Sequence, residues 1–579
     1  MAGTPIVISD SDSEDEEMKR AIELSLQSPT EVDQHDEELR YAIELSMQTA
    51  QAEEASQHAE SSERAQETQP APQPVKPSLS ANPLLGLDRK AMEEERLARQ
   101  AARKRDKSIS PPPLRRDNLE VKRPRTGPNN FKAKADTRTL DNGTSAPLTG
   151  LRYPNGVLKR TRDPANPTPD DITIEEVLVK ERLKTAVFSA FMWDVPWFFS
   201  KLDMLTTNMV LVMQGKTALD RENTTRELAA WGLPNVRLCF PPQMGPYTCM
   251  HSKLMLLFYE THMRIVVPSA NLLDFDWGET GIMENTVFLI DLPRLGQTSN
   301  GEVLQSEDDL TFFGKELLHF IKAQGLQERV WKGVLNFDFS KTNHLAFVHS
   351  IYGGNMDVDA LRTGFPGLAR AIKNLGLQTE DTEVDFAASS IGSLDDLYIS
   401  NIYRAAQGKF TMPSEAKARL AASKHSDHFR LYFPTHDTVA RSRGGIRNGG
   451  TVCFQRSYWE KPTFPHGIFR DYVSTRPGLL SHNKLLFARG HNKDKEKVAW
   501  VYAGSANCSS SAWGRLTQPK ASLKLTCSNW ECGVIFPVDA SDRDLSDLGK
   551  AFEGVIVPPF EYPSTAFGER MPWFFMERH

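Results

Sequence analysis

The strongest constraint on how this 579-residue chain can fold is a unit that occurs twice. HSKLMLLFYETHMRIVVPSAN begins at His251, and HNKLLFARGHNKDKEKVAWVYAGSAN begins at His482. Both run His-x-Lys, apolar strand, turn, second strand, Ser-Ala-Asn. The His-to-Asn interval is 20 residues in the first copy and 25 in the second, the excess falling in a charged turn. Duplication of this kind predicts two similar α/β halves around a pseudo-twofold axis. A third His-x-Lys, His491-Asn492-Lys493, sits inside that charged turn without the strand and Asn of its own, so it reads as a chance match.

The repeated residue types suit one chemistry. Nucleophilic attack on a phosphodiester builds negative charge on the phosphoryl oxygens, which ammonium and amide donors stabilise. Lys253, Lys484, Asn271 and Asn507 supply those donors. Of two imidazoles, one can attack phosphorus and the other can protonate the leaving group and later deprotonate water, which casts His251 and His482 as a catalytic pair. A carboxylate on the far nitrogen of each ring would fix its tautomer. Internal symmetry nominates Glu284 in MENTVFLIDL and Glu531 in WECGVIFPV. Metal hydrolases usually show clusters such as H-E-x-x-H, which this sequence lacks, so neither a metal ion nor another cofactor is expected.

Around this core the composition changes sharply along the chain. Residues 1 to about 145 are rich in Glu, Gln, Ser, Pro, Lys and Arg and nearly free of aromatics, a composition that cannot offset ordering entropy, and are expected to form a disordered regulatory tail. That tail accounts for a mean hydropathy of −0.45 and a net charge of −6, values that hide a basic stretch at 103–125. Arg103-Lys104-Arg105 and Lys122-Arg123-Pro124-Arg125 within it suggest nuclear import or DNA contact. Two segments, 14–27 and 36–48, repeat an acidic cluster followed by apolar-x-x-Ala-apolar-x-x-Ser and look like ubiquitin-interacting motifs. Residues 6–15, Ile-Val-Ile followed by alternating Ser and Asp, resemble a SUMO-interacting motif. No apolar run reaches eighteen residues and no signal-peptide order is present, so membrane attachment is not expected. The six cysteines form no C-x-x-C pair and read as buried thiols.

The paired motifs resemble those of the phospholipase D superfamily, whose signature is His-x-Lys-x4-Asp followed by a Ser-x-Asn element. The Asp position is Phe258 in the first copy and Arg489 in the second. Loss of both aspartates is similar to the tyrosyl-DNA phosphodiesterase family, as are SSIGSLDDLY (389–398), SANCSSSAWG (505–514), NWECGVIFP (529–537) and FGERMPWFF (567–575). The resemblance implies two phospholipase D-like lobes, 146–345 and 346–579, with mixed sheets flanked by helices and the site at their junction. It implies cleavage of a tyrosine-DNA 3′-phosphodiester left by topoisomerase I, with DNA and a topoisomerase-derived peptide as partners and a nuclear location. It makes His251 the nucleophile and His482 the acid and base, gives Glu531 as an acid partner, and suggests that Tyr247 stacks on a base while Ser390 and Ser509 contact phosphate. A lipid phospholipase D and a non-catalytic ubiquitin/SUMO-binding adaptor stay as alternatives. The missing aspartates weigh against the first, and the survival of all four His and Lys residues against the second.

Overall fold

The computed structural model describes residues 151–242, 248–296, 305–415, 420, 425–519 and 522–575. The ubiquitin-type and SUMO-type motifs, the basic stretch and Tyr247 lie outside the described residues. In chain order the strands are Val157–Thr161 (β1), Asp171–Ile172 (β2), Thr185–Ser189 (β3), Asn208–Val212 (β4), Val236–Cys239 (β5), Cys249–Met250 (β6), Leu254–Phe258 (β7), His262–Pro268 (β8), Met283–Glu284 (β9) and Thr286–Pro293 (β10). They continue with Ala346–Ser350 (β11), Gly353–Met356 (β12), Asp381–Ala387 (β13), Phe429–Phe433 (β14), Phe469–Asp471 (β15), Leu480–Ser481 (β16), Leu485–His491 (β17), Lys497–Gly504 (β18), Arg515–Thr517 (β19), Lys524–Cys527 (β20) and Asn529–Val538 (β21).

Two large mixed sheets carry the duplication that the repeated motif predicts. The first has the order β2-β1-β10-β8-β7-β3-β4-β5, and the second β11-β21-β18-β17-β13-β14-β15 with β6 added beside β21. Matching β1 to β11, β10 to β21, β8 to β18, β7 to β17, β3 to β13, β4 to β14 and β5 to β15 reproduces every pairing. Each set has four antiparallel contacts followed by two parallel ones. Each His-x-Lys therefore stands at the entry to a central strand, β7 or β17.

Those central strands read as unbroken apolar runs because both faces are covered. Along β7, Leu254 and Leu256 enter a core shared by the two sheets, while Leu257 and Met255 face a separate core on the outer side of the first sheet. Along β17, Leu485 and Phe487 enter the shared core, and Leu486 and Ala488 face a third core outside the second sheet. Helices Gly364–Asn374 and Asp396–Ala406 cover that third core. A further helix, Phe312–Ala323, packs on the shared core, its first turn capped by the Thr311 hydroxyl, which accepts from the Gly314 N–H.

In the second half the residue at the motif-aspartate position, Arg489, sits in a buried charge network. Arg489 is buried, and its guanidinium donates to Asp385 on the neighbouring strand β13, to the Leu545 carbonyl at 2.7 Å and to the Tyr562 hydroxyl at 2.8 Å. Asp385 also accepts from Arg430 and Tyr432. Removing one member of such a network leaves a buried charge short of its partner. Arg489→Ala is expected to lower unfolding free energy by about 3–5 kcal/mol, checked by denaturant unfolding, without changing the residues around His251.

Two short cross-connections bring the halves into register at the site. β6, directly before His251, pairs parallel with the start of β21, and β16, directly before His482, pairs parallel with β9. Each His-x-Lys is thus laid against the carboxylate-bearing segment of the opposite half.

Candidate active site

The backbone at each histidine is fixed by those cross-connections: the His251 N–H donates to the Trp530 carbonyl (3.2 Å) and the His482 N–H to the Glu284 carbonyl (3.0 Å). Side-chain alternation then decides what each ring meets. The residue after Trp530 is Glu531, whose Oε2 lies 2.9 Å from His251 Nδ1. Glu531 is held in turn by the Asn529 amide, 2.9 Å from Oε1, and by the Ser505 hydroxyl. Nε2 is the ring nitrogen of His251 that does not face this carboxylate. The Phe191 ring packs beside this imidazole with centroids 5.5 Å apart.

For the second imidazole the sequence expectation requires correction. Glu284 does not face His482. Its carboxylate accepts from Arg160, from the Ser474 hydroxyl at 2.7 Å and from the Tyr472 hydroxyl at 3.3 Å, on the far side of the strand. The two backbone bonds above show why: Glu284 corresponds to Trp530, so the true counterpart of Glu531 is Asn285. A one-residue slip on a strand sends a side chain to the opposite face. The carboxylate opposite His482 is instead Asp276, whose Oδ1 lies 3.3 Å from Nδ1. Sequence reading passed over Asp276, although an acid five residues after Asn271 within LLDFDWG was a usable signal: a buried carboxylate among apolar neighbours needs a partner. Asp276 also accepts from the Asn271 N–H (2.7 Å) and from the Asn285 amide.

Both asparagines of the repeated motif are oriented through their carbonyl oxygens. Asn507 Oδ1 accepts from the Ser389 N–H, the Ser389 hydroxyl and the Ser390 N–H at 3.0–3.2 Å, and Asn271 Oδ1 from the Met192 N–H at 3.4 Å. Each Nδ2 is thereby left to act as a donor. Ser390, expected on phosphate, spends its N–H on Asn507. Ser509 caps the helix Ser510–Trp513, its hydroxyl accepting from the Ala512 N–H, so its structural duty is that cap.

Lys253 and Lys484 are completely buried, and each ammonium donates to the carbonyl of its own histidine, Lys253 at 2.7 Å. Burial pulls both lysines below the usual range, Lys484 strongly, with the Lys253 charge adding to the effect. Burial likewise lowers both imidazoles to about 4, against the opposing pull of Glu531 on His251 and of Asp276 on His482. Asp276 is itself held at about 2: burial raises it, but His482, the Asn271 amide and Lys484 outweigh that. The buried site thus concentrates cations and neutral imidazoles whose charged forms gain from an incoming anion. No group of three or more His, Cys, Asp or Glu with metal-ligand geometry occurs among the described residues.

Asp276→Asn keeps the shape and removes the charge opposite His482. It is expected to reduce turnover of a phosphodiester about 100-fold with little change in KM, read from steady-state kinetics.

A crystal structure of the yeast tyrosyl-DNA phosphodiesterase has the same fold, with a TM-score of 0.53 and 20% identity over 72% of this chain and 100% of that one. A duplicated mixed α/β body of this kind, with one His, Lys and Asn from each half at its junction, defines a phosphodiesterase of the phospholipase D fold. The family model for tyrosyl-DNA phosphodiesterase matches residues 157–568, and the chain belongs to that family. Tyrosyl-DNA phosphodiesterase 1 of Drosophila melanogaster is 26% identical over 439 residues, 72% of this chain and 72% of the relative. A probable tyrosyl-DNA phosphodiesterase of Caenorhabditis elegans is 27% identical over 335 residues, 56% of this chain and 66% of the relative. The ubiquitin interaction motif model matches residues 13–29 and 36–50, one residue or two beyond the expected segments. No helix among the described residues is long and apolar enough to cross a membrane.

Proposed function

We propose that this member of the family hydrolyses 3′-phosphotyrosyl DNA ends left by topoisomerase I, through a covalent phosphohistidine on His251. The observation that carries the reading is the pair of buried ammoniums, Lys253 and Lys484, set beside two imidazoles whose Nδ1 atoms face carboxylates from the opposite half. A phosphodiester supplies the missing negative charge, holds both lysines protonated and draws a proton onto His482. His251 Nε2 then attacks phosphorus as the P–O bond to tyrosine breaks, and His482 gives its proton to the departing phenolate oxygen. In the second step His482 takes a proton from water, the resulting hydroxide attacks phosphorus, and the P–N bond breaks to return His251 and a 3′-phosphate. Lys253, Lys484 and the Nδ2 groups of Asn271 and Asn507 stabilise the phosphoryl oxygens in both steps.

The same reading gives the lobes 146–345 and 346–579 to the two halves of the site and places the protein at DNA lesions in the nucleus. Tyr247, four residues before His251, serves as a stacking contact for a base, and a topoisomerase-derived peptide leaves from the His482 side. The ubiquitin-type segments recruit the enzyme to ubiquitin-modified chromatin proteins, and 6–15 to SUMO. Full-length protein incubated in EDTA with an oligonucleotide bearing a 3′-phosphotyrosine is expected to yield a 3′-phosphate and free tyrosine. No product, or product only on addition of a divalent metal, overturns the mechanism.

A further inference from the structure

The corrected register exposes an asymmetry between the two halves. In the second half a relay runs from the Cys532 N–H to the Ser505 hydroxyl, from that hydroxyl to Glu531, and from Glu531 to His251. The first half begins with the same relay, from the Thr286 N–H to the Ser269 hydroxyl (3.0 Å) and from that hydroxyl to Asn285 Oδ1 (2.7 Å). There a neutral amide stands where the second half has a carboxylate. The chain of bonds continues from Asn285 Nδ2 to the Asp276 carbonyl (2.8 Å) and Oδ1 (3.2 Å), and Asp276 Oδ1 faces His482.

We infer that Asn285 is a positioning residue for His482, setting the general acid and base apart from the nucleophile. The Ser269 hydroxyl receives the Thr286 N–H, so its own proton goes to Asn285 Oδ1, and the amide must then present Nδ2 to Asp276. Asn285 is fully buried, so no water competes for that contact. A carboxylate at this position would stand against Asp276 and force a shared proton. An amide donates without charge and keeps Asp276 ionised opposite His482. His251, which must never give its electron pair to a proton during attack, is held directly by Glu531. His482, which must exchange a proton twice, faces Asp276, and Asn285 is the extra link between that carboxylate and Ser269.

The inference rests on the proposed division of roles, and its test separates the two. Wild type, Asn285→Ala and Ser269→Ala are compared on oligonucleotides carrying a 3′-phosphotyrosine or a 3′-(4-nitrophenyl phosphate), whose more acidic phenol leaves without protonation. If Asn285 acts through His482, Asn285→Ala slows tyrosyl turnover by about 30-fold at unchanged KM. Formation of the nitrophenyl-derived covalent adduct stays within about threefold of wild type, and hydrolysis of that adduct slows so that it accumulates. Ser269→Ala shows the same split with a smaller loss, which keeps the test standing should the first variant fold poorly. Equal losses in the adduct-forming step on both leaving groups in both variants, or no loss on the tyrosyl substrate, overturn the role of Asn285. Wild type that forms no adduct with either substrate overturns instead the reading of His251 as nucleophile.

Discussion

His251→Ala is expected to abolish adduct formation and to lower cleavage of a 3′-phosphotyrosyl oligonucleotide by at least about 10,000-fold, since removal of a nucleophile collapses the whole catalytic unit. Because Glu531 keeps its contacts with Asn529 and Ser505, and Lys253 its bond to the backbone carbonyl of residue 251, substrate binding should survive better than turnover. The pH dependence follows from the lowered imidazole. His251 is neutral, and so nucleophilic, above about 4 and becomes protonated below it, so kcat/KM should fall tenfold per pH unit on the acid side of about 4. An acid limb centred near the ordinary histidine value would show that burial does not depress this group.

His482→Ala is expected to have the second-largest effect, about 1,000-fold in turnover, with a distinctive product. The first step loses protonation of the tyrosyl oxygen, worth about 100- to 1,000-fold, yet the nucleophile and the buried ammoniums remain. Hydrolysis of the phosphohistidine loses its base altogether. The slower second step makes a covalent protein–DNA species accumulate, visible as a gel-shifted band stable to denaturant and labile to acid. Turnover without any such band, at the same overall loss, would argue that the two histidines do not divide the work in this way. The Asp276→Asn variant should lie between this result and wild type, because it leaves the ring in place and loosens its hold.

Much of this was legible in the sequence because it depends on local pattern. Strands β7 and β17 needed only the apolar runs that open them, and the motif histidines needed only their position before those strands. The duplicated order of the two sheets followed from the duplicated unit. Glu284 was misread because two acids near the start of similar strands look equivalent in a linear alignment, while the ladder between β9 and β16 sets them one residue apart. Asp276 was missed because its role depends on a loop folding back beside a histidine some two hundred residues away, and no local periodicity marks that meeting.

Arg489 shows the same limit from the other side. The motif alone shows only an arginine in an aspartate's position, whereas the fold shows that Asp385 on the adjacent strand pairs with it.

The sequence by itself determined the chemistry available: two histidines, two lysines and two asparagines in repeated units, and the family they mark. Those functional groups belong to the chain however it folds, although burial tunes them. Only the tertiary structure decided which carboxylate serves which imidazole, because the parallel pairings of β6 with β21 and of β16 with β9 cross between the halves. A hydrogen-bonded strand admits one register, and with alternation at period two that register chooses Glu531 and Asn285 for the site and turns Glu284 away from it.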